Sequence, residues 1–421
     1  MSGLRPRVVI TGMGAVTPLA NDVQENWKKL CEGRSGVAAI TLFDAGSFPT
    51  RIAGEVKNFP IAGILGRNSA FALGAAAEAV KDSGFEIKKM DPTRAGAYLG
   101  AGDGGFDFRE HAAILAASFN AEQDSVDRKK FFEKSVARAH SKKLLEEEPS
   151  RVVYHLSERL GVEGPVSNCL TACAASSQAI GEAAEIIRRG SADVMITGGT
   201  HSMIHPMGLG GFNLLTALSV RNEEPARASR PFDKDRDGFV LAEGSGMVVL
   251  EELGHARKRG AKIYAELAGY GCTADAFRLT DPHPAGRGAI QAMSLALRDA
   301  GLSTDQIDYI SAHGTSTQLN DQIETAAVKK VFPNAKNIPM SSIKSMLGHM
   351  IAAAGAIELI ASVLTIRDGI LPPTINYETP DENCDLDYVP NRARRQKVEA
   401  VLSNSFGFGG QNVSLIVKSF K

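Results

Sequence analysis

The residue whose type and position most directly allow chemistry is Cys173, in the segment Thr171-Ala-Cys-Ala-Ala-Ser-Ser177. The segment joins an apolar strand to an Ala-rich helix, which places the thiol at a helix N-terminus. There, unpaired backbone N–H groups and the helix dipole favour a thiolate, and small neighbours leave room for a substrate. The position predicts a nucleophile, although a buried structural cysteine fits it equally well. Cys169, on the strand side, is expected to pack in the core.

Two histidines and a Gly-rich turn also have surroundings suited to catalysis. His313 ends a predicted strand in a His-Gly-Thr-Ser-Thr segment, where glycine allows close backbone approach and hydroxyls offer polar contacts. His349 follows Lys344 in Lys-Ser-Met-Leu-Gly-His and leads into a predicted helix. Taken singly, each histidine fits a structural role better than a catalytic one. The Gly-rich turn 404–412 can present backbone N–H groups and a mobile aromatic, Phe408.

Two further motifs favour structural roles. Gly12-Met-Gly14 follows a strand, but Thr17 replaces the third glycine of a dinucleotide-binding loop, so a tight strand exit is predicted. The segment 233–238 resembles the start of a calcium loop, but Gly244 stands where the ligating glutamate belongs. Neither motif predicts a cofactor or a cation.

A pair of histidines has the spacing of metal ligands. His201 and His205 are separated by one helical turn, but no third ligand is evident nearby, and Pro206 is expected to interrupt a helix. We therefore predict a loop that lines a cavity and no metal site.

Two similar α/β halves are the simplest interpretation of the pattern along the chain. Helix 174–189 with the strand ending at Thr200 resembles helix 289–300 with the strand 308–312. Each half also opens with a strand and closes with a hairpin: strands 8–11 and 263–269, hairpins 239–251 and 400–417.

The predicted halves meet within a short connecting segment. We assign residues 1–256 to the first half and residues 257–421 to the second. The first half includes a charged helical insert at about 104–160.

Composition excludes several classes of protein. The chain has 421 residues, of which 43% are hydrophobic and 23% charged, as in globular proteins with a sizeable core. Its 47 basic residues nearly balance 48 acidic ones, so the basic excess of a nucleic-acid binder is missing. Five cysteines cannot form a disulfide scaffold and favour reduced thiols in a cytosol-like compartment.

Neither a targeting segment nor a membrane span is predicted. The N-terminal apolar run is too short for a secretory signal. The most apolar stretch, 351–366, is interrupted by Gly355, Glu358 and Ser362. We therefore expect a cytoplasmic protein without membrane contact.

Together these segments resemble the β-ketoacyl-acyl carrier protein synthases, or condensing enzymes, and most closely the synthase II type. The resemblance implies a thiolase-like fold, in which two similar halves form five α-β-α-β-α layers, usually as a homodimer. It also implies a structural role for the aspartate-rich stretch, residues 233–238. The motifs that carry it span nearly the whole chain: the segments 7–14, 171–173, 229–239, 313–317, 344–349 and 404–410.

The resemblance implies a decarboxylative condensation. Cys173 is then the nucleophile that forms an acyl-enzyme, and the backbone N–H groups of Cys173 and Phe408 bind its oxyanion. His313 and His349 donate hydrogen bonds to malonyl-carrier and stabilise the enolate that attacks the acyl-cysteine. No metal or organic cofactor is implied, since decarboxylation makes the carbanion. The remaining matches are supporting residues: Lys344 and Glu324 in the polar network, Thr315 and Thr317 on the phosphopantetheine arm, Phe408 as gate, and Phe212 as a wall of the acyl pocket.

Two regions depart from the family pattern. Residues 59–69 lack the Lys/Arg-rich helix that meets an acidic carrier protein, which leaves Arg67 as the nearby cation. The insert at 104–160 brings two basic clusters, 128–130 and 142–143. These charges either solvate helices or replace the missing docking surface.

Three functions remain open from the sequence. The first is an elongating synthase of fatty acid synthesis, and the second is a paralogue that makes a polyketide, polyene or unusual lipid. The third is a non-catalytic chain-length-factor-like subunit in a heterodimer, against which the retention of Cys173, His313 and His349 argues. A thiolase is disfavoured because Phe408 stands where thiolases have a second cysteine.

Overall fold

The main sheet contains ten strands. The computed structural model describes residues 5–61, 65–102, 108–139 and 142–421, and we number the strands of this sheet in chain order. They are β1 (Val8–Val16), β2 (Ala95–Ala101), β3 (Val166–Cys169), β4 (Val194–His201), β5 (Gly244–Glu252), β6 (Ala265–Ala274), β7 (Tyr309–Ser311), β8 (Met340–Ser341), β9 (Ala400–Gly407) and β10 (Gln411–Lys418).

The α-helices are numbered in the same way. They are α1 (Val23–Cys31), α2 (Arg67–Ser83), α3 (Phe108–Ser118), α4 (Arg128–Ala139), α5 (Lys142–Leu145), α6 (Ser150–Leu160), α7 (Ala175–Arg188), α8 (Pro206–Leu214), α9 (Leu253–Lys258), α10 (Arg287–Ala300), α11 (Gln318–Val331), α12 (Lys344–Leu347) and α13 (Ala354–Asp368). Two-residue strands form three further ribbons: Ala38–Ala39 with Ile52–Ala53, Phe119–Asn120 with Ser125–Val126, and Ile370–Leu371 with Arg394–Arg395. None of the helices in the described ranges is long and apolar enough to cross a membrane.

The strand order is symmetric about its centre. Across the sheet it reads β8-β7-β9-β10-β6-β1-β5-β4-β2-β3. In the first half β1, β5 and β4 are successively antiparallel, and β4, β2 and β3 are parallel; β6, β10, β9, β7 and β8 repeat this pattern. The halves join where Val9 and Ile10 pair with Glu266 and Ala265. The predicted pair of similar α/β halves is therefore confirmed, and the predicted boundary at 256/257 lies in α9, which connects them.

Helices lie between the two halves of the sheet and on the outer side of each half. α7 packs on β2 and β4 of the first half and on β10 of the second, while α13 packs on β5 and on β9 and β10. α2 covers the outer side of β1 and β5, and α10 covers β6 and β10. Every residue of α13 from Ala354 to Thr365 is buried, as expected for a helix enclosed between the two halves of the sheet. The result is the predicted α-β-α-β-α arrangement.

The repeat in the structure pairs different elements from the repeat expected from the sequence, which was wrong on this point. By strand order, α7–β4 corresponds to α13–β9, and α10–β7 corresponds to α2–β2. The sequence match paired α7–β4 with α10–β7 because both units are a helix, a short turn and a strand that leads into Gly-Thr. The predicted hairpin at 239–251 is also wrong, since Gly244–Glu252 is one continuous strand. The second predicted hairpin is present as β9 and β10.

Gly12 and Gly14 lie inside β1, so the predicted tight strand exit is wrong. A β-carbon at Gly12 would lie 2.1 Å from the carbonyl oxygen of Ala79, and one at Gly14 would lie 1.9 Å from that of Ala75. Both carbonyls belong to α2. The Gly-x-Gly pattern therefore allows close packing of a helix on a strand.

In the aspartate-rich stretch, Asp233 and Arg236 belong to a buried structural cluster, whereas Asp235 and Asp237 are exposed. Asp233 accepts hydrogen bonds from the backbone N–H groups of Glu378 and Thr379, each at 2.7 Å. Arg236 is buried and donates to Asp381 at 2.7 Å and to the Thr317 carbonyl at 3.1 Å. These contacts agree with the structural role expected for this stretch and attach it to the loop after His313.

Candidate active site

Cys173, His313 and His349 come from distant parts of the chain and meet between the two halves. The Cys173 sulfur and one ring nitrogen of each histidine all lie within 4.8 Å of one another. Their exposed fractions are 4%, 2% and 2%. The structure thus brings together the three residues on which the predicted chemistry depends.

The turn that carries Cys173 has an equivalent in the second half of the fold. Cys173 lies in the 3-10 turn Ala172–Ala174, directly before α7, and an equivalent 3-10 turn, Ile351–Ala353, precedes α13. The first residue of each turn has a positive φ, 47° at Ala172 and 38° at Ile351. Such a φ is uncommon outside glycine and is an outlier for a β-branched residue. The same strained bend therefore begins both central helices.

Burial dominates the electrostatics of the thiol. It raises the pKa of Cys173 to about 11, although the Phe408 N–H, the Lys344 charge and the Cys173 N–H all favour the thiolate. The sequence predicts that a helix N-terminus favours the thiolate, and here desolvation outweighs that effect. The thiol therefore requires a proton acceptor when it acts as a nucleophile.

The two histidines are held neutral. Burial, reinforced by the charge of Lys344, lowers the pKa of His313 and of His349 well below the usual value. Lys344 Nζ lies 3.3 Å from Nδ1 of His313. An ammonium group has only donors, so His313 Nδ1 accepts and its ring proton resides on Nε2. Among the described residues, neither ring nitrogen of His349 has a hydrogen-bond partner, which leaves both available to a substrate.

Lys344 is itself fixed by a residue that sequence reasoning missed. It forms a buried ion pair with Glu358 and donates to the His313 carbonyl at 2.7 Å. From the sequence, Glu358 is only an interruption of an apolar stretch. Because an unpaired buried charge is costly, a lone acid in an apolar helix is a signal for a buried cation. Its partner on another segment could not be named from spacing.

Glu324 fixes the backbone around His313. Its two carboxylate oxygens accept the backbone N–H groups of His313 and Gly314, each at 2.8 Å. Asn404 donates to the same carboxylate at 3.2 Å. Burial raises the pKa of Glu324 to about 7. The sequence places Glu324 in a supporting polar network, and the structure places it against the main chain of that loop.

The Gly-rich turn brings Phe408 beside Cys173. A β-carbon at Gly407 would lie only 3.2 Å from the Cys173 nitrogen, so glycine permits this approach. The backbone N–H groups of Phe408 and Cys173 both lie close enough to the sulfur to lower its pKa. Two backbone donors beside a reacting atom are the arrangement of an oxyanion hole.

Two cavities meet at Cys173 and Phe408, which line both. The outer cavity, about 290 Å³, also contains His313, His349, Thr315 and Thr317. The hydroxyls of Thr315 and Thr317 lie 2.9 Å apart and can contact a polar, extended ligand.

The inner cavity, about 250 Å³, is lined mainly by apolar side chains, including Phe212. The Phe212 ring packs edge-on against Phe239 with centroids 5.5 Å apart, and Phe239 packs in the same way against His349 at 5.3 Å. An apolar cavity that ends at a nucleophile suits a hydrocarbon chain.

The expected cavity-lining loop is present as residues 202–205, with His201 at the strand end before it and His205 as the cap of the helix after it. His201 ends β4 and lines the inner cavity. His205 caps α8 and accepts the Gly208 N–H at 3.2 Å. Pro206 begins this helix rather than interrupting one, because the first helical position needs no N–H donor.

Two family models cover most of the chain. The model for the β-ketoacyl synthase N-terminal domain matches residues 5–256, and that for the C-terminal domain matches residues 264–378. The chain belongs to the β-ketoacyl synthase family. This confirms the family predicted from the motifs.

Curated relatives of this β-ketoacyl synthase match along their full length. The 3-oxoacyl-[acyl-carrier-protein] synthase 2 of Coxiella burnetii is 46% identical over 98% of each chain. The enzyme of the same name from Staphylococcus aureus (strain COL) is 41% identical over 99% of each chain.

Solved structures of ketosynthases share the fold. A type II PKS ketosynthase in complex with its acyl-carrier protein, bound to a hexaketide, is 35% identical, with a TM-score of 0.89 over 99% of this chain and 100% of that one. A β-ketoacyl synthase from Burkholderia phymatum is 34% identical, with a TM-score of 0.88 over the same shares.

Proposed function

We propose that this β-ketoacyl synthase condenses an acyl thioester with malonyl-acyl carrier protein and releases a β-ketoacyl-carrier two carbons longer. The convergence of Cys173, His313 and His349 within 4.8 Å, at the meeting point of two cavities, carries the proposal. One cavity accommodates the acyl chain and the other the carrier's phosphopantetheine arm.

The first half-reaction places the acyl group on Cys173. The thiol attacks the thioester carbonyl, and its proton passes to the departing carrier thiol. The backbone N–H groups of Cys173 and Phe408 stabilise the oxyanion of the tetrahedral intermediate. Phe212 forms a wall of the pocket that takes the acyl chain, and Phe408 closes the gap between the two cavities.

The second half-reaction makes the carbon nucleophile. Malonyl-carrier enters the outer cavity, where Thr315 and Thr317 contact the phosphopantetheine arm. His313 and His349 donate hydrogen bonds to its thioester carbonyl, so that carbon dioxide leaves and an enolate remains. The enolate carbon attacks the acyl-cysteine, and the carbon–sulfur bond breaks to regenerate Cys173.

The remaining polar residues position this machinery. Lys344 fixes the His313 tautomer, and Glu358 holds Lys344 in place. Glu324 fixes the His313 backbone. We propose that no metal or organic cofactor takes part, because loss of carbon dioxide supplies the carbanion directly.

Sequence similarity favours fatty acid elongation as the pathway. The relatives named 3-oxoacyl-[acyl-carrier-protein] synthase 2 reach 46% identity, whereas the ketosynthase solved with a hexaketide is 35% identical. A paralogue with a specialised acyl substrate is the alternative.

Reconstitution with purified carrier proteins tests the function. Acyl-carrier and malonyl-carrier should yield a β-ketoacyl-carrier, with carbon dioxide released in equal amount, as measured by intact-protein mass spectrometry and gas trapping. A control without acyl-carrier should yield no elongated product. Consumption of malonyl-carrier without any new carbon–carbon bond would contradict the proposal.

A homodimer is the assembly that we propose. β3 is an edge strand of the main sheet, and Val166 at its start is 42% exposed. Leu170, just after β3, is 52% exposed although it also lines the inner cavity. An unpaired edge beside an exposed apolar side chain is a ready surface for a second copy, which would complete the sheet and the cavity wall.

Carrier docking is proposed at the mouth of the outer cavity and along the charged insert. Leu215 and Leu319 line this cavity and are 48% and 51% exposed, so the mouth has an apolar rim. Arg67 does not supply a free cation, because it pairs with buried Glu243, with its Nε 2.9 Å from the carboxylate.

The cations of the insert are better placed for docking. Arg128, Lys129 and Lys130 are exposed in the first turn of α4. The positive end of a helix dipole disfavours cations there, so helix stability does not explain them. They suit an acidic carrier instead.

Reversing the charges of Arg128, Lys129 and Lys130 to glutamate should raise the Michaelis constant for carrier-linked substrates, with little effect on a pantetheine-linked analogue. Interfacial charges set association and specificity, and high salt should mimic the change in the parent enzyme. Glutamates in a first turn favour the helix, so folding is not at risk. Reversal of exposed Lys88, Lys89 and Lys336 is the matched control. An unchanged carrier Michaelis constant in the first triple variant would contradict docking on the insert.

A further inference from the structure

His201 is a buried polar residue to which the mechanism above assigns no role. Its exposed fraction is 1%, and it lines the inner cavity together with Cys173. Within the described part of the chain, neither ring nitrogen of His201 has a hydrogen-bond partner. A buried polar atom without a partner is costly, and most such atoms in folded proteins are paired. An unpaired one in a substrate cavity indicates a partner on the ligand.

The ring of His201 is held in a defined position. A β-carbon at Gly102 would lie 2.4 Å from Nδ1 of His201, so only glycine at this position leaves room for the ring. The residue also belongs to β4, where it pairs with Gly244 of β5. The backbone at Gly102 therefore closes one side of the imidazole.

The chemistry of the ring limits what it can bind. Burial, with a further contribution from His205, lowers the pKa of His201 to about 3. The neutral ring offers one N–H donor and one acceptor nitrogen and has no charge to attract an anion. A hydroxyl or a keto oxygen is the complementary group.

Few of the described side chains that face the inner cavity are polar. Apart from His201 and the Cys173 thiol, the described side chains that line it are apolar. A saturated chain therefore leaves both nitrogens of His201 unpaired, whereas an oxygen on the chain pairs with one of them.

We propose that His201 forms a subsite for an oxygen atom on the acyl chain, so that the enzyme prefers donors with a hydroxyl or keto group on an inner carbon over saturated donors of equal length. The subsite rests on the proposed condensation, because it concerns the chain carried by Cys173. An oxygenated donor belongs to the specialised alternative and not to the saturated chains of fatty acid elongation. Sites that hydrogen-bond a substrate oxygen reject the analogue that lacks it more strongly than apolar pockets reject an added group.

Single-turnover acylation of Cys173, followed by intact mass, tests the subsite. The donors are pantetheine thioesters of one chain length: the saturated chain, and chains with a hydroxyl or keto group at successive inner carbons. We expect the best oxygenated donor to react about 10- to 100-fold faster than the saturated one in the parent enzyme. His201→Phe, which keeps a ring of similar size, should abolish this ratio, and His201→Asn should retain part of it. Met203→Leu, at another residue of the cavity wall, should keep the ratio and is the matched control.

The outcomes separate the subsite from the chemistry. Equal rates for all donors in the parent enzyme, or a ratio that survives in His201→Phe, would overturn the subsite while leaving acyl transfer intact. Failure of every donor to acylate Cys173 would overturn the proposed function together with the subsite. If His201→Phe does not fold, the parent ratio and the His201→Asn ratio decide the question.

Discussion

Replacement of Cys173 by alanine should reduce acyl transfer and condensation by on the order of 10⁴- to 10⁶-fold, because no other group can carry the acyl chain. Cys173→Gln should leave decarboxylation of malonyl-carrier running, since enolate formation depends on the two histidines and not on the thiol. Separate measurements of acyl-enzyme mass, carbon dioxide and elongated product distinguish the three steps.

Cys169→Ala is the matched control for the nucleophile. Cys169 is partly buried and donates to the Ala175 carbonyl at 3.3 Å, so its loss should leave condensation largely intact. Iodoacetamide should label Cys173 at a rate that keeps rising up to about pH 11, where burial places the thiol pKa. If Cys169 were labelled in preference and Cys173→Ala still condensed, the assigned nucleophile would be wrong.

Alanine at His313 or at His349 should slow decarboxylation by about 100- to 1000-fold, the typical effect of losing one donor to a developing oxyanion. Acylation of Cys173 should suffer less, because its oxyanion is bound by backbone N–H groups. Single-turnover acylation beside carbon dioxide release separates the two effects. Equal losses in both steps would mean that the histidines chiefly activate the thiol.

The protonation state of the histidines provides a second measurement. Because burial lowers the pKa of His313 and His349, both stay neutral as the pH falls through 6.5, the ordinary value for histidine. Decarboxylation should therefore show no gain between pH 8 and pH 6, whereas imidazolium donors would make the rate rise. His313→Gln, which places an amide N–H near the former Nε2, should recover part of the rate lost in His313→Ala.

The sequence predicts most of the site because the key residues lie in local motifs. Cys173 and His313 each follow a strand of the main sheet, and such strand ends face the same region in α/β folds. His349 lies between α12 and the turn before α13. Glu358 escapes this reasoning, because its partner Lys344 is found only when α12 and α13 pack together. The raised pKa of Cys173 cannot be predicted from the sequence either, because the thiol is buried only when the two halves pack together.

Two errors in the predicted fold have the same physical origin. In the hairpin predicted at 239–251 and in the strand exit predicted at Gly12-Met-Gly14, the local pattern favours turns at the glycines. In the structure these glycines lie inside strands, where the absence of a β-carbon lets a helix or another backbone approach. Gly246, for example, would bring a β-carbon within 2.9 Å of the Ile357 side chain of α13. Contacts between distant segments decide this use of glycine, and local sequence does not reveal them.

The shared bend at Ala172 and Ile351 bears on how such a site can diversify. Both halves have a residue with a costly positive φ just before a central helix, although only in the first half does a cysteine follow it. The strain therefore belongs to the duplicated scaffold and does not depend on the thiol. New chemistry at this centre then needs only a change of side chain on an unchanged main chain. A descendant that exchanged its cysteine for another residue would keep the architecture and lose only the covalent step.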